Sequence, residues 1–162
     1  MAHVIKPMDD VDVKRMAKRM RPMDRFEFKV MSGGRPALDS LEELLRRSRR
    51  AAAAYHDDNL VCCYGVVAQT ALSTIGHPWM CATPMIASPV VRKKFLRHSI
   101  EELAWMSEGF DMLWNLVSTE NKIAIRWLKW MGFNFTGDQV GLRGHPFAYF
   151  KMEAEDVLRT SH

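Results

Sequence analysis

Past residue 78 the chain alternates apolar runs of strand length with amphipathic helical stretches, and each helix carries its own start and stop signals. This alternation constrains the fold more than any other feature. A helix between two strands carries the chain back over the sheet, so the strands it joins run in parallel. The first strand is expected over Trp79–Ala87, opened by His77-Pro78. Pro84 would remove a ladder donor inside it, so the strand should bulge or split there. Ser88-Pro89 then supplies an N-cap and a first helical residue. The helix over 88–108 has Leu96, Ile100 and Leu103 as its buried stripe and Gly109 as its stop. Phe110–Val117 reads as the next strand. A second helix follows over 119–132, capped by Ser118 or Thr119, with Ile123, Trp127, Trp130 and Met131 on one face and Gly132 at its end. Phe133–Thr136 and Pro146–Met152 are expected as two further strands.

The first half has a different rhythm. His3–Lys6 reads as a short strand stopped by Pro7, and Asp9 or Asp10 caps a helix carrying Val13, Met16 and Met20. Pro22 ends that helix and opens another over 23–32, which Gly33-Gly34 breaks. Leu38, Leu41 and Leu45 place a third helix over 37–50, its last turn basic with Arg46, Arg47, Arg49 and Arg50. Ala51–His56 and Leu60–Val67 flank Asp57-Asp58-Asn59, a pattern that predicts an antiparallel hairpin.

The 162 residues fit one domain spanning 1–162, long enough to bury an ordinary core without staples. No apolar run approaches the ~20 residues that cross a bilayer, and no secretion signal opens the chain, so a cytoplasmic site is expected. Cys62, Cys63 and Cys81 form no metal or redox motif. A net charge of +4 suits an anionic ligand and gives little ground for a nucleic-acid partner.

The element order resembles the GNAT N-acetyltransferase family, on three stretches. Val4–Val11 is similar to the family's opening strand and the Asp that caps its first helix. Met85-Ile86-Ala87-Ser88-Pro89 is placed like the central strand leading into the cofactor helix. Asn121-Lys122-Ile123-Ala124-Ile125-Arg126-Trp127-Leu128-Lys129-Trp130-Met131-Gly132-Phe133 resembles the family's Asn-x-x-Ala-x-x-Phe-Tyr-x-x-x-Gly-Phe segment. The resemblance implies an α/β fold with a mixed, mostly antiparallel sheet and helices on both faces. Within the family, Met112–Val117 and Ile125–Lys129 are similar to the small GNAT-like internal virion proteins of short-tailed bacteriophages. That likeness implies phage structural or host proteins as partners, and a place in the host cytoplasm or the virion.

The family's substrate is acetyl-CoA, whose pyrophosphate sits on backbone N–H groups before the central helix, as anions generally sit on helix N-termini. Carried onto this chain, the resemblance implies Val90, Val91, Arg92, Lys93 and Lys94 at that turn and Asn121 near the cofactor. The turn here contains no glycine, Pro89 removes a donor, and Val90 and Val91 bring bulk. Arg92, Lys93, Lys94, Arg97 and His98 place cations where the helix dipole disfavours them, a cost that a bound polyphosphate would reverse. The family's thiolate-reprotonating Tyr corresponds to Leu128, which transfers no proton. His77, Cys81 and Tyr149 are the remaining candidates for acid–base work. Two functions stay open: an acetyl-CoA-dependent N-acyltransferase acting on an amine, and a non-catalytic GNAT-fold protein serving in the virion or against the host. The second expects a blocked cofactor site and an exposed apolar patch, for which Trp105 or Trp130, if exposed, would be the marker. A third reading, a nucleic-acid binder using Arg46–Arg50 and Arg92–Arg97, expects one continuous basic face.

Overall fold

The computed structural model describes residues 3–160. In chain order these form β1 (His3–Pro7), α1 (Asp10–Arg19), α2 (Pro22–Ser32), α3 (Ala37–Arg47), β2 (Ser48–His56), β3 (Asn59–Ala68), β4 (Ile75–Ala82), a 3-10 turn (Pro84–Ala87), α4 (Pro89–Ser107), β5 (Met112–Ser118), α5 (Lys122–Met131), β6 (Asn134–Leu142), β7 (His145–Glu153) and α6 (Ala154–Thr160). The seven strands lie in the order β1-β2-β3-β4-β5-β7-β6. β4 and β5 pair in parallel, whereas β1–β2, β2–β3, β5–β7 and β6–β7 pair antiparallel. The expected mixed, mostly antiparallel sheet is therefore present. No helix among the described residues is long and apolar enough to cross a membrane.

Two compact units make up the chain. The first takes in the chain up to Val67 together with Trp79–His98. Its first helix starts as the Asp pair requires. The Asp9 side chain accepts from the Val11 and Asp12 amides, and the Asp12 carboxylate accepts from the Asp9 amide at 2.9 Å, a reciprocal capping box. The inward face of α1 sends Val13, Met16 and Met20 into a core shared with Leu41, Ala53, Leu60, Cys63 and Cys81. Asp57 and Asp58 both take positive φ, +49° and +65°, as a two-residue type I′ turn demands, and Asp tolerates that region better than most side chains.

Three expectations change in this unit. The third helix stops at Arg47 rather than running to residue 50, because β2 already pairs from Ser48, opposite Val67. The ladder captures Arg49 and Arg50, so the basic run is split between a helix end and a strand. The strand expected over Trp79–Ala87 begins earlier, at Ile75, and ends at Ala82. Beyond it Thr83 is tied back to β3, its amide to Val61 O at 2.9 Å and its hydroxyl to Leu60 O at 2.8 Å. Pro84 then opens a 3-10 turn instead of a bulge, since its fixed φ and missing N–H suit a first helical position.

The second unit comprises Ala68–Pro78 and the chain from Ser99 onward. β5 pairs with β7 over its whole length, from Met112↔Glu153 to Ser118↔Phe147. β6 runs on to Leu142, well past the expected Thr136, through a register shift between Phe135 and Gln139 where Gly137 sits at φ +86°. Arg143 and Gly144, at φ +49° and +83°, form the second type I′ hairpin turn. The cap of α5 is Asn121, whose Oδ1 accepts from the Ala124 amide at 3.3 Å, not Ser118 or Thr119. The buried face of α5 is only partly the expected one. Met131 points inward as expected and Trp127 is half-buried, but Leu128 joins them while Ile123 and Trp130 are 66% and 55% exposed. Helix α6 gave no expectation in the sequence.

Candidate functional site

The parallel pairing of β4 and β5 lasts for two residue pairs, Ile75↔Met112 and Gly76↔Leu113. Beyond them, side chains take over from the ladder. The Asn115 amide Nδ2 donates to Pro78 O at 2.7 Å, and its Oδ1 accepts from the Leu116 amide at 2.8 Å. His77 Nδ1 lies 3.0 Å from Trp114 O. A carbonyl only accepts, so Nδ1 carries the proton in this contact, and a neutral His77 then presents its lone pair on Nε2. Pro78 has no N–H to offer, and its carbonyl already has a partner.

Three rings line up beside these bonds. His77 meets Trp114 edge-on at 4.6 Å, and Trp114 meets Tyr149 at 5.8 Å with planes tilted by 40°. Tyr149 stands opposite Leu116 on β7, two residues along from Trp114, so Trp114, Leu116 and Tyr149 share a face of the sheet. All three rings are half-buried. The irregular stretch 136–138 of β6 lies where the register skips past Tyr149, with the Asp138 amide donating to Thr136 Oγ1 at 3.1 Å. Among the described residues the Tyr149 hydroxyl has no hydrogen bond. The second unit thus gathers a proton acceptor (His77 Nε2) and a phenol (Tyr149) on either side of Trp114. The sequence pointed to both, but it gave no reason to place them together. It missed Asn115, although a lone amide within the apolar run Phe110–Val117 was the available signal.

In the first unit, Pro89 opens α4 and the Arg92 amide bonds Ser88 O at 2.8 Å. The first-turn amides left without an intrahelical acceptor are therefore those of Val90 and Val91. The two valines differ sharply: Val91 is 2% exposed and packed into the core, while Val90 is 60% exposed. Arg92 and Lys93 are exposed and Lys94 is half-buried. One turn on, His98 stacks on His3 with ring centroids 5.1 Å apart. Cys81 is completely buried, and burial, followed by Cys63 and Asp24, pushes its thiol well above the usual range. It lies out of reach as a nucleophile or acid. Asn121 is buried and caps α5, and Leu128 is buried beside Met131. Among the described residues, no cluster of His, Cys, Asp and Glu is arranged to hold a metal ion.

Solved structures of acetyltransferases share this architecture. An N-acetyltransferase from Staphylococcus aureus Mu50 superposes with a TM-score of 0.68 at 9% identity, covering 95% of this chain and 99% of that one. YncA, a putative acetyltransferase from Salmonella typhimurium solved with its cofactor acetyl-CoA, gives 0.66 at 12% identity and 95% coverage of both chains. The spermidine/spermine N-acetyltransferase SpeG from Vibrio cholerae, solved with manganese ions, gives 0.67 at 13%, covering 99% and 97%. At such identities the likeness is one of fold, and the fold is that of the GNAT N-acetyltransferases. A family model described as "Bacteriophage T7, probable scaffold protein Gp13" matches residues 74–139, less than half of the chain. No curated protein matches the sequence.

Proposed function

We propose that this is a phage-type GNAT-fold protein whose task is to contact other proteins, in the virion or in the host, and not to transfer acyl groups. The observation that carries this reading is the closure where β4 and β5 stop pairing. The pantetheine arm of acetyl-CoA is an extended chain with two amides, and it needs free backbone donors and acceptors on parted strands. Here Asn115 already occupies Pro78 O, Pro78 offers no donor, and the His77 ring covers Trp114 O. The start of α4 fits the cofactor poorly as well: Pro89 lacks an N–H, and only Val90 and Val91 retain open ones. The buried Leu128 supplies no proton to a leaving thiolate. The exposed Ile123 and Trp130, seven residues apart on one face of α5, support a protein-contact role. So does the scaffold-protein match over 74–139, which contains that helix.

Acetyl-CoA-dependent transfer to an amine is the second reading. The cationic first turns of α4 and the acetyl-CoA in the YncA structure favour it. In that case Arg92 and Lys93, with the Val90 and Val91 amides, would hold the pyrophosphate. Within the second unit, His77 Nε2 and the Tyr149 hydroxyl are the groups left for acid–base work. Calorimetry with acetyl-CoA separates the two. The protein-contact reading expects no heat at millimolar acetyl-CoA. Micromolar binding that Arg92→Ala plus Lys93→Ala abolishes would overturn it in favour of the enzyme.

A further inference from the structure

A hollow of ≈ 340 Å³ lies between the end of α1 and the β2–β3 turn, lined by Arg15, Lys18, Arg19, Asp58, Asn59 and Leu60. All six belong to the first unit. Arg15, Lys18 and Arg19 stand at i, i+3 and i+4, so a single helix face presents three cations to one concavity. The negative end of the helix dipole favours cations in the last turn, but like charges at this spacing repel one another. Among the described residues neither Lys18 nor Arg19 has a hydrogen bond or ion pair that would relieve the repulsion.

Arg15 differs from its neighbours in being fixed. Its Nη1 donates to the Tyr55 hydroxyl at 3.0 Å, and its guanidinium lies 5.7 Å from the centre of the Tyr55 ring. Tyr55 in turn donates to Asp12, a fully buried carboxylate whose other oxygen accepts from Lys6 at 2.6 Å. A buried relay therefore holds the guanidinium in place with most of its five N–H donors unused. A ligand that binds there need not order it, which favours affinity.

We infer that this hollow is a binding site for a small phosphate-bearing anion, held by Arg15, Lys18 and Arg19. Three cations against the single carboxylate of Asp58 leave a surplus of two positive charges. A phosphate group carries about −1.5 to −2 at neutral pH, whereas a carboxylate carries only −1. Arginine's planar fork also matches phosphate geometry. The site is separate from the basic start of α4 and stands whether or not the chain binds acetyl-CoA.

The test is calorimetry on the full chain at low salt, with inorganic pyrophosphate in one arm and ADP in the other. At least one should bind, and added salt should weaken it. Lys18→Gln plus Arg19→Gln should lower the affinity by about tenfold or more, while Arg92→Ala plus Lys93→Ala leaves it unchanged. ADP tighter than pyrophosphate assigns a nucleotide, and equal affinity assigns a free phosphate. Both substituted side chains are exposed, so the fold should survive, and Lys18→Gln alone serves as a second variant. Four results would overturn the site: no binding of either anion at millimolar concentration; binding indifferent to Lys18 and Arg19; binding lost with Arg92 and Lys93; or a single-stranded oligonucleotide as the only ligand.

Discussion

Asp12→Ala should be among the most damaging single substitutions in the first unit. The Asp12 carboxylate is fully buried and serves three donors: the Tyr55 hydroxyl, the Lys6 ammonium and the Asp9 amide. Removing it leaves the Tyr55 hydroxyl, in a residue only 8% exposed, without its acceptor, at about 1–3 kcal/mol. Losing half of the capping box adds about 0.5–1 kcal/mol. Lys6 contributes little, because 35% of its side-chain area is exposed and water can replace the lost partner. The sum is about 1.5–4 kcal/mol, a large share of the roughly 5–15 kcal/mol that holds a domain folded. Urea denaturation should show the midpoint falling with the slope unchanged, and the melting temperature should drop by about 10 °C. A double-mutant cycle with Tyr55→Phe should return a coupling of about 1 kcal/mol. A loss under about 1 kcal/mol, or no coupling to Tyr55, would refute the relay and weaken the argument that Arg15 is held in advance.

Burial first, then His98, Lys94 and His56, hold the His3 imidazole below its ordinary value of 6.5. A depressed histidine binds fewer protons when folded, so its contribution to stability is complete above the unfolded value and is lost as pH falls through the folded one. Stability measured from about pH 7 down to pH 5 should decline, and His3→Gln should flatten the decline; an unchanged slope in that variant would remove His3 from the account. Cys62, Cys63 and Cys81 are all fully buried, so a thiol reagent should label none of them in the native protein and all three on unfolding. Leu41→Ala, at a fully buried position, should cost about 2–5 kcal/mol, whereas Trp130→Ala should stay within about 0.5 kcal/mol; a comparable loss at Trp130 would place that ring in the core.

Signals that depend on a few neighbouring residues were legible in the sequence. The capping Asp9, the Pro22 and Ser88-Pro89 helix starts, the αL stops at Gly33 and Gly132, and the Asp57-Asp58 turn all act through local backbone chemistry and all appear where expected. The misreadings share a different cause. Arg49 and Arg50 continue the basic pattern of α3, but pairing with β3 draws them into a strand. Ile123 and Trp130 are apolar and helical in spacing, yet α5 leaves them exposed and turns Leu128 inward beside the expected Met131. Periodicity identifies a helix without saying which of two candidate stripes the sheet will cover.

The candidate site divides along the same line. Residue identity alone decided that the α4 turn has no glycine and that Leu128 carries no hydroxyl, because a missing N–H or hydroxyl needs no neighbour to be missing. The convergence of His77, Trp114, Asn115 and Tyr149, drawn from β4, β5 and β7, depends on strand register, which distant segments set together. The hollow of Arg15, Lys18 and Arg19 is a similar case. As sequence, those residues are an ordinary basic helix end, and they become a site because Tyr55, forty residues on, and the turn at Asp58 fold against them. Long-range pairing brings such groups together, and no local pattern in the chain records it.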